Sequence, residues 1–384
     1  MEHLIELKNV YKIYQMGDEA KAFIVIKEGM SKLLPNELLL VLAMGWIFES
    51  FLQGITGFGV PVAVGAPLLI GIGVAPMYAI VIPLLGQAWG NTFGTLGAAW
   101  DSLAVSAGIQ AGSPEYYRAA FWAAVFLLVW DFVTGIIICW LYGKGKAVKK
   151  GFPAVLVMTL IGGGGELVLS QVNTTLSNFV PAVICLVVLM LMGRMKMYRD
   201  EWRIEDSKIM VRTESTGETL DAPKDMTLVQ AFVPYALLSL MTIIVLTVKP
   251  VNAFLSKVQL SISVPETSTG YGFVNAASDA FSPIVPFTHA SMFLFLSAVI
   301  GLVYYKKHGW IQAGGTKAIF GRSITMTMPS GMAVIGLVIM SKIMSGTGQT
   351  VVLSQGIAGV LGNKYLILAP FIGLLGTFMT GSNM

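Results

Sequence analysis

A long apolar segment near the start of the chain is broken by glycine and proline within Glu49–Val62, which reads ESFLQGITGFGVPV. The interruption falls at residues 57–61, and a second apolar segment begins directly after it. A broken helix inside a lipid bilayer leaves backbone N–H and C=O groups unpaired, so such breaks occur where they line a cavity or contact a ligand. The segment therefore indicates a membrane protein with an internal binding site, as in transporters.

The composition points to the same class. Of 384 residues, 55% are hydrophobic and 12% are charged, and the mean hydropathy is +0.73. That is too apolar for an ordinary soluble domain. Lys and Arg crowd into short loops, which is typical of a topology signal and not of nucleic-acid binding, so we expect a lipid bilayer and no nucleic acid as partner. Cys139 and Cys185 each lie inside an apolar run, and we expect neither a disulfide framework nor a metal site.

We expect an all-α polytopic membrane protein with about nine to eleven transmembrane segments, because a hydrocarbon core of ~30 Å needs about 20 apolar residues per helix. Several of these segments are interrupted by Gly or Pro. The predicted helices lie near residues 34–54, 60–75, 76–93, 118–142, 153–170, 178–194, 227–248, 289–305, 318–344 and 351–380. The last range is expected to contain a short segment and a full one.

Three clusters of basic residues predict the orientation. They follow the helices ending near residues 142, 194 and 305, with two helices between neighbouring clusters, so all three fall on one side of the membrane. The positive-inside rule makes that side cytoplasmic and places loops 94–117 and 249–288 outside. The basic residues are Lys144, Lys146, Lys149, Lys150, Arg194, Lys196, Arg199, Arg203, Lys306, Lys307 and Lys317.

Residues 195–226 form a long polar stretch. We interpret it as a cytoplasmic linker with little fixed structure between a first membrane half, 22–194, and a second, 227–384.

The opening stretch, residues 1–21, differs in character from the rest of the chain. It resembles the first strands of ABC-transporter ATPase subunits, through the sequence IELKNVYKIYQMGDE. Such a subunit requires G-x-x-x-x-G-K-[ST], whose backbone amides and Lys hold the phosphates. The sequence contains no such motif, which excludes an ATPase and suggests that this stretch derives from a fusion or an artefact.

From about Ala22 onward, the chain resembles the L-lactate permease family of bacterial transporters. Three segments carry the resemblance: Trp46–Pro61, Pro83–Leu96 continuing to Asp101, and Phe378–Asn383, which matches the start of a TGSN(T)SSN signature. The resemblance implies proton-coupled uptake of L-lactate, with D-lactate and glycolate as further substrates, across the inner membrane of a bacterial cell. It implies no enzymatic activity and no cofactor. Family members have additional helices at both ends, so we expect a chain truncated at both ends.

A lactate carboxylate must lose water inside the membrane, and the N-terminus of a half-helix supplies N–H donors and a favourable dipole. The break after residue 56 and the one near residue 380 have the composition of paired discontinuous helices. The alternatives are that the glycines only permit close helix packing and that the Asn and Thr residues only cap helices. The candidate substrate-binding residues are Gln53, Thr56, Gly57, Phe58, Gly59, Pro61, Asn91, Thr92, Thr380, Gly381, Ser382 and Asn383.

Glu49, Asp131 and Glu166 are candidate proton carriers, because they lie in or beside apolar runs where loss of water favours the neutral form of a carboxyl group. Glu49 is the first choice, since it precedes the Gly57 break by about two helical turns. Arg322 and Lys342 are candidate counter-charges for the anion, although both also suit membrane-interface anchors.

Two other functions stay open on the sequence alone. Gly-rich breaks also expose carbonyl oxygens that hold Na⁺, so the chain could be a sodium-coupled carboxylate transporter. It could also be a fragment of a lactate permease that does not transport.

Overall fold

The computed structural model describes residues 19–56, 60–212, 225–311 and 314–380. The chain divides into two compact units, one extending to Ala236 and the other starting at Leu237. The boundary lies shortly after the predicted linker 195–226. The helix Glu19–Leu33 runs through the predicted junction at residue 21, and most of the opening stretch lies outside the described residues.

The described part of the first unit is helical. Helix α2 begins at an Asn36 cap, whose Oδ1 accepts a hydrogen bond from Leu39 N, and α6 begins at a Ser113 cap followed by proline. The helices are α1 (Glu19–Leu33), α2 (Glu37–Ile55), α3 (Val60–Gly71), α4 (Pro76–Gln87), α5 (Ala98–Ser106), α6 (Pro114–Leu169), α7 (Phe179–Met192) and the short α8 (Leu228–Ala231). Helix α9 (Val233–Thr247) crosses the boundary between the units.

Helix α6 is a hairpin of two arms and not one straight rod. Its backbone leaves helical geometry at Gly143 (φ −165°, ψ 32°) and Lys144 (φ 54°, ψ −144°). A methyl group added at Gly163 would lie 2.9 Å from Leu128 Cα, and one added at Gly151 would lie 3.8 Å from Cys139 Cβ. In each pair the two residues are about equally far from residue 145 in the sequence, so the two arms run antiparallel. The arms correspond to the two helices predicted at 118–142 and 153–170. Lys144 lies at the reversal between them, whereas Lys146, Lys149 and Lys150 are helical and not in a loop.

The break predicted at 57–61 falls between two separate helices, and the chain leaves α-helical geometry again after α4. Helix α2 ends at Ile55 with Thr56 as its C-cap, and a separate helix begins at Val60; residues 57–59 lie outside the described part. Helix α4 ends at Gln87 and passes through a 3₁₀ turn, Ala88–Gly90, into turns over 91–94. Thr95, Leu96 and Gly97 then have φ values of 50°, 55° and 77°, so the backbone passes through the left-handed region here.

Residues 195–212 are bound to the helix bundle, so the prediction of little fixed structure is wrong for them. Arg212 makes two hydrogen bonds to the Glu37 carboxylate, at 2.7 and 2.9 Å. Val211 N donates to Gly73 O, and Ala75 N donates to Ile209 O. The segment is fixed because its backbone groups pair with the ends of helices that would otherwise be unsatisfied.

The second unit departs from the all-α expectation through two short antiparallel strand pairs. Strand β1 (Leu260–Val264) pairs with β4 (Ser278–Ile284), with Leu260 opposite Ile284 and Ile262 opposite Phe281. Strand β2 (Thr267–Ser268) pairs with β3 (Val274–Asn275). The helices are α10 (Lys249–Leu255), α11 (Ala290–Lys307), α12 (Gly315–Gly346), α13 (Gln349–Leu361) and α14 (Tyr365–Thr380).

Within the described residues, two helices are long and apolar enough to cross a membrane: Glu37–Ile55 and Pro114–Leu169. A third span is present if Val233–Val245 and Lys249–Leu255, which are bent by 92°, count as one. Phe179–Met192 and Gln349–Leu361 are apolar but shorter. The larger number of transmembrane segments stays a prediction.

The hairpin predicts a specific cross-link. With copper phenanthroline, Gly151→Cys should form a disulfide with Cys139, because a Cβ–Cβ distance of 3.8 Å is typical of disulfides. In a straight helix the two residues would be about 18 Å apart. Trypsin cuts at the exposed Lys144, Lys146 and Lys149 between the two positions, so the fragments should stay joined on a non-reducing gel only after oxidation. The double variant Cys139→Ser/Gly151→Cys is the control, and separate fragments from oxidised Gly151→Cys would contradict the hairpin.

Candidate functional site

Glu49 lies in the interior of the first unit, in the last turns of α2. Its side chain is fully buried (0% exposed), and neither carboxyl oxygen has a hydrogen-bond partner among the described residues. The carboxyl group lies against Gly65 of α3, where a Cβ atom would overlap Glu49 Oε1. The glycine therefore makes the space that the acid occupies.

Asp131, on the first arm of α6, is also buried and reaches α2 through a hydrogen bond. Trp46 Nε1 donates to Asp131 Oδ1 at 2.9 Å, while Asp131 Oδ2 has no partner among the residues described. Trp46 belongs to a π-helical turn, Ala43–Ile47, within α2. Such turns shift the direction of side chains and are frequent at functional sites.

Glu166 is the third buried acid and lies on the second arm of α6. Both of its carboxyl oxygens are without hydrogen-bond partners in the described part of the chain. It is close enough to Asp131 for the two carboxyl groups to interact electrostatically. The α6 hairpin thus brings together two acids that are far apart in the sequence, and all three predicted proton carriers are buried in the same unit.

The predicted substrate-binding residues of the first unit have different environments. Gln53 Nε2 donates to Asn91 Oδ1 at 3.3 Å, which joins α2 to the turn after α4. Thr92 is half-buried in that turn and Pro61 is buried in α3. Thr56 Oγ1 donates to Leu52 O at 2.8 Å, so its hydroxyl proton is used within its own helix. Gly57, Phe58 and Gly59 lie outside the described residues.

The predicted residues of the second unit do not form an observed site. Thr380 is the last residue of α14, and Gly381, Ser382 and Asn383 lie outside the described part of the chain. Arg322 lies in α12, but its side chain is not described. Lys342 is exposed, with Nζ 5.5 Å from the centre of the Phe281 ring. A surface depression of about 650 Å³ in this unit lies beside Val285 and Phe295 and contains no carboxylate.

Sequence reasoning missed a buried amide, Asn178, immediately before α7. It is 0% exposed, and neither Oδ1 nor Nδ2 has a hydrogen-bond partner among described residues. The Asn178 amide lies close to the Glu166 carboxyl group, but the two groups do not have hydrogen-bonding geometry. A signal was available, because Asn178 ends the polar run 173–178 just before a fourteen-residue apolar helix.

The charge balance of this region limits its chemistry. Among residues whose side chains are described, no Lys or Arg is buried. An ionised carboxylate at any of the three acidic positions would be a buried charge without a buried Lys or Arg beside it among the described side chains, which costs several kcal/mol. The buried polar side chains of this region are therefore acids and neutral amides, with no described cation to balance an ionised carboxylate.

Comparisons with known proteins identify the class. A family described as L-lactate permease matches residues 4–384. An L-lactate permease from Streptococcus iniae is 25% identical, over 96% of this chain and 72% of the relative. Two proteins from Escherichia coli (strain K12) are similar: an L-lactate permease at 24% identity, over 97% of this chain and 67% of the relative, and a glycolate permease at 23%, over 97% and 68%. No solved structure matches the chain.

The chain is a transporter and not an enzyme. It belongs to the L-lactate permease family. Its apolar helices and its bacterial relatives indicate an integral membrane protein. The family match begins at residue 4 and so includes most of the opening stretch, 1–21. A separate origin for that stretch stays a prediction, and the match does not require one.

The contact between Glu49 and Gly65 can be tested by adding one methyl group. Gly65→Ala should lower the thermal unfolding midpoint in detergent, because overpacking a core position costs about 1–3 kcal/mol. Glu49→Ala in the Gly65→Ala background should recover much of that loss, since the overlapping carboxyl group is gone. Gly164→Ala, whose added Cβ would meet only Thr159 O at 4.0 Å, is the matched control. Equal midpoints for Gly65→Ala and Gly164→Ala would show that the contact is absent.

Proposed function

We propose that this protein carries L-lactate and related small 2-hydroxy monocarboxylates, including glycolate and D-lactate, across the bacterial inner membrane together with protons. In this proposal the chain is multi-pass, with about nine to eleven transmembrane segments. The observation that carries the proposal is the burial of Glu49, Asp131 and Glu166 without a buried Lys or Arg among the side chains described.

Proton coupling follows from the sign of these charges. A carboxylate substrate that enters beside an ionised acid meets like-charge repulsion of about 4 kcal/mol at about 4 Å and an effective dielectric constant of about 20. Protonation of the acid removes this repulsion and the cost of the buried charge. A site without a buried cation therefore favours the anion and the proton binding together, which is the requirement for symport.

The substrate class is supported by the neutral polar groups and by the relatives. The Gln53–Asn91 pair lies where α2 and α4 end, and Gln53 is three residues before Thr56, the C-cap of α2. Amide groups, and the free N–H groups at the start of α3, bind a dehydrated carboxylate without adding a charge. The similar proteins are named as permeases of L-lactate and of glycolate, and both compounds are small acids with a hydroxyl group on the carbon beside the carboxylate.

Uptake into right-side-out membrane vesicles tests the proposal. Labelled L-lactate should accumulate when the outside is made more acidic than the inside, and a protonophore should abolish the accumulation. Dependence on Na⁺ with no effect of the pH gradient would overturn proton coupling and favour a sodium-coupled carboxylate transporter. A correctly inserted chain that moves no 2-hydroxy acid in either direction would overturn the transport function of this chain.

Neutral variants of the three acids test which group carries the proton. Glu49→Gln should lower gradient-driven accumulation at least ~10-fold while lactate exchange without a gradient persists in part, because the substrate site remains but the titrating group is lost. Asp131→Asn and Glu166→Gln are measured in parallel. Glu115→Gln, at an exposed position in the first turn of α6, is the control. Normal accumulation by Glu49→Gln would exclude Glu49, and normal accumulation by all three variants would exclude this cluster as the coupling site.

A further inference from the structure

Asn178 is held between two helix ends by close contacts. A Cβ atom at Gly54, near the end of α2, would lie 2.9 Å from Asn178 Oδ1, and one at Gly90, after α4, would lie 2.6 Å from Asn178 Nδ2. A side chain at either position would displace the amide, and at Gly54 it would also lie 2.9 Å from Phe179 Cα. The side chain is packed between the two backbones, which restricts its torsion angles.

The same two helix ends carry the Gln53–Asn91 hydrogen bond, one residue away from each glycine. Gln53 Oε1 is buried and has no hydrogen-bond partner among the described residues, as is true of both polar atoms of Asn178. Buried amides are nearly always paired in native proteins. Asn178 lies beside Glu166, and Gln53 lies one helical turn from Glu49. Buried amides with unused polar atoms next to acids are expected of a site that binds a small polar ligand.

An amide suits one kind of acid better than others. Its nitrogen donates to a carboxylate oxygen, and its oxygen accepts from a hydroxyl group. A 2-hydroxy acid has both groups on adjacent carbons, whereas a simple carboxylate such as propionate has only the first. An amide oxygen buried against propionate would stay unpaired, which disfavours the simple acid.

We propose that Asn178 is a substrate-binding residue that selects 2-hydroxy acids over simple carboxylates, with its nitrogen on the carboxylate and its oxygen on the hydroxyl group. This inference rests on the proposed transport function and deepens it. It assigns selectivity to Asn178, whereas coupling to protons belongs to the carboxyl groups beside it.

Competition measurements test the selectivity. Vesicles take up labelled L-lactate in the presence of unlabelled L-lactate, glycolate or propionate, and the ratio of the propionate and lactate inhibition constants reports the preference. The wild-type chain should prefer lactate. Asn178→Ala should reduce that preference by about 5- to 150-fold, the range expected for one buried hydrogen bond, because both acids lose the bond from the amide nitrogen and only lactate also loses the bond to its hydroxyl group. A purely structural role would weaken both acids equally.

Two further variants make the result decisive. Asn173→Ala is the matched control, because Asn173 lies in the same polar run but its Oδ1 accepts from Leu176 N within a local turn. The Asn173→Ala variant should therefore prefer lactate over propionate as strongly as the wild type does. Asn178→Leu keeps most of the side-chain volume and should give the same loss of preference if Asn178→Ala does not insert. An unchanged ratio in a well-inserted Asn178 variant would overturn the inference while leaving the transport function intact. A wild-type chain that recognises no 2-hydroxy acid would instead count against the proposed function.

Discussion

A carboxyl group inside an apolar helix bundle must be neutral or paired, because an isolated buried charge costs several kcal/mol. The first unit buries three such groups, and its architecture positions each one. The α6 hairpin brings Asp131 and Glu166 near each other, the π-helical turn of α2 lets Trp46 reach Asp131, and Gly65 of α3 makes room for Glu49. The proposed function depends on this burial. In the proposal, a protonated acid admits the substrate anion, whereas an ionised acid would repel it.

Glycine determines how closely these elements approach. A methyl group at Gly86 of α4 would overlap Gly45 O of α2, and Ser50 Oγ also donates to Gly86 O at 3.0 Å. Gly54 and Gly90 similarly leave space for the Asn178 amide. In a membrane, where lipid competes with every apolar contact, small residues allow helix backbones to come together and polar groups to pair. The abundance of glycine therefore reflects packing around polar side chains as well as the breaks in the helices.

Much of the first unit could be predicted from its residues, whereas the second unit departed further from expectation. Apolar run lengths gave α2, α3, α4 and α7 closely, and Gly and Pro marked the breaks after Ile55 and Gly90. The strand pairs within 260–284 were missed because they lie in a stretch read only as an outside loop. The bound segment 195–212 was also missed, since its partners Glu37 and Gly73 are far away in the sequence.

The sequence by itself determined that the chain is membrane-embedded, where its helices break, and that Glu49, Asp131 and Glu166 lie in apolar surroundings, because hydropathy and the conformational limits of Gly and Pro act locally. Only the tertiary structure decided which groups meet. Asn178 became a candidate because Gly54, Gly90 and Glu166 surround it, and Trp46 because it donates to Asp131 across 85 positions of sequence. Such contacts depend on how helices pack and on where the α6 hairpin reverses, and residue composition along one segment does not contain that information.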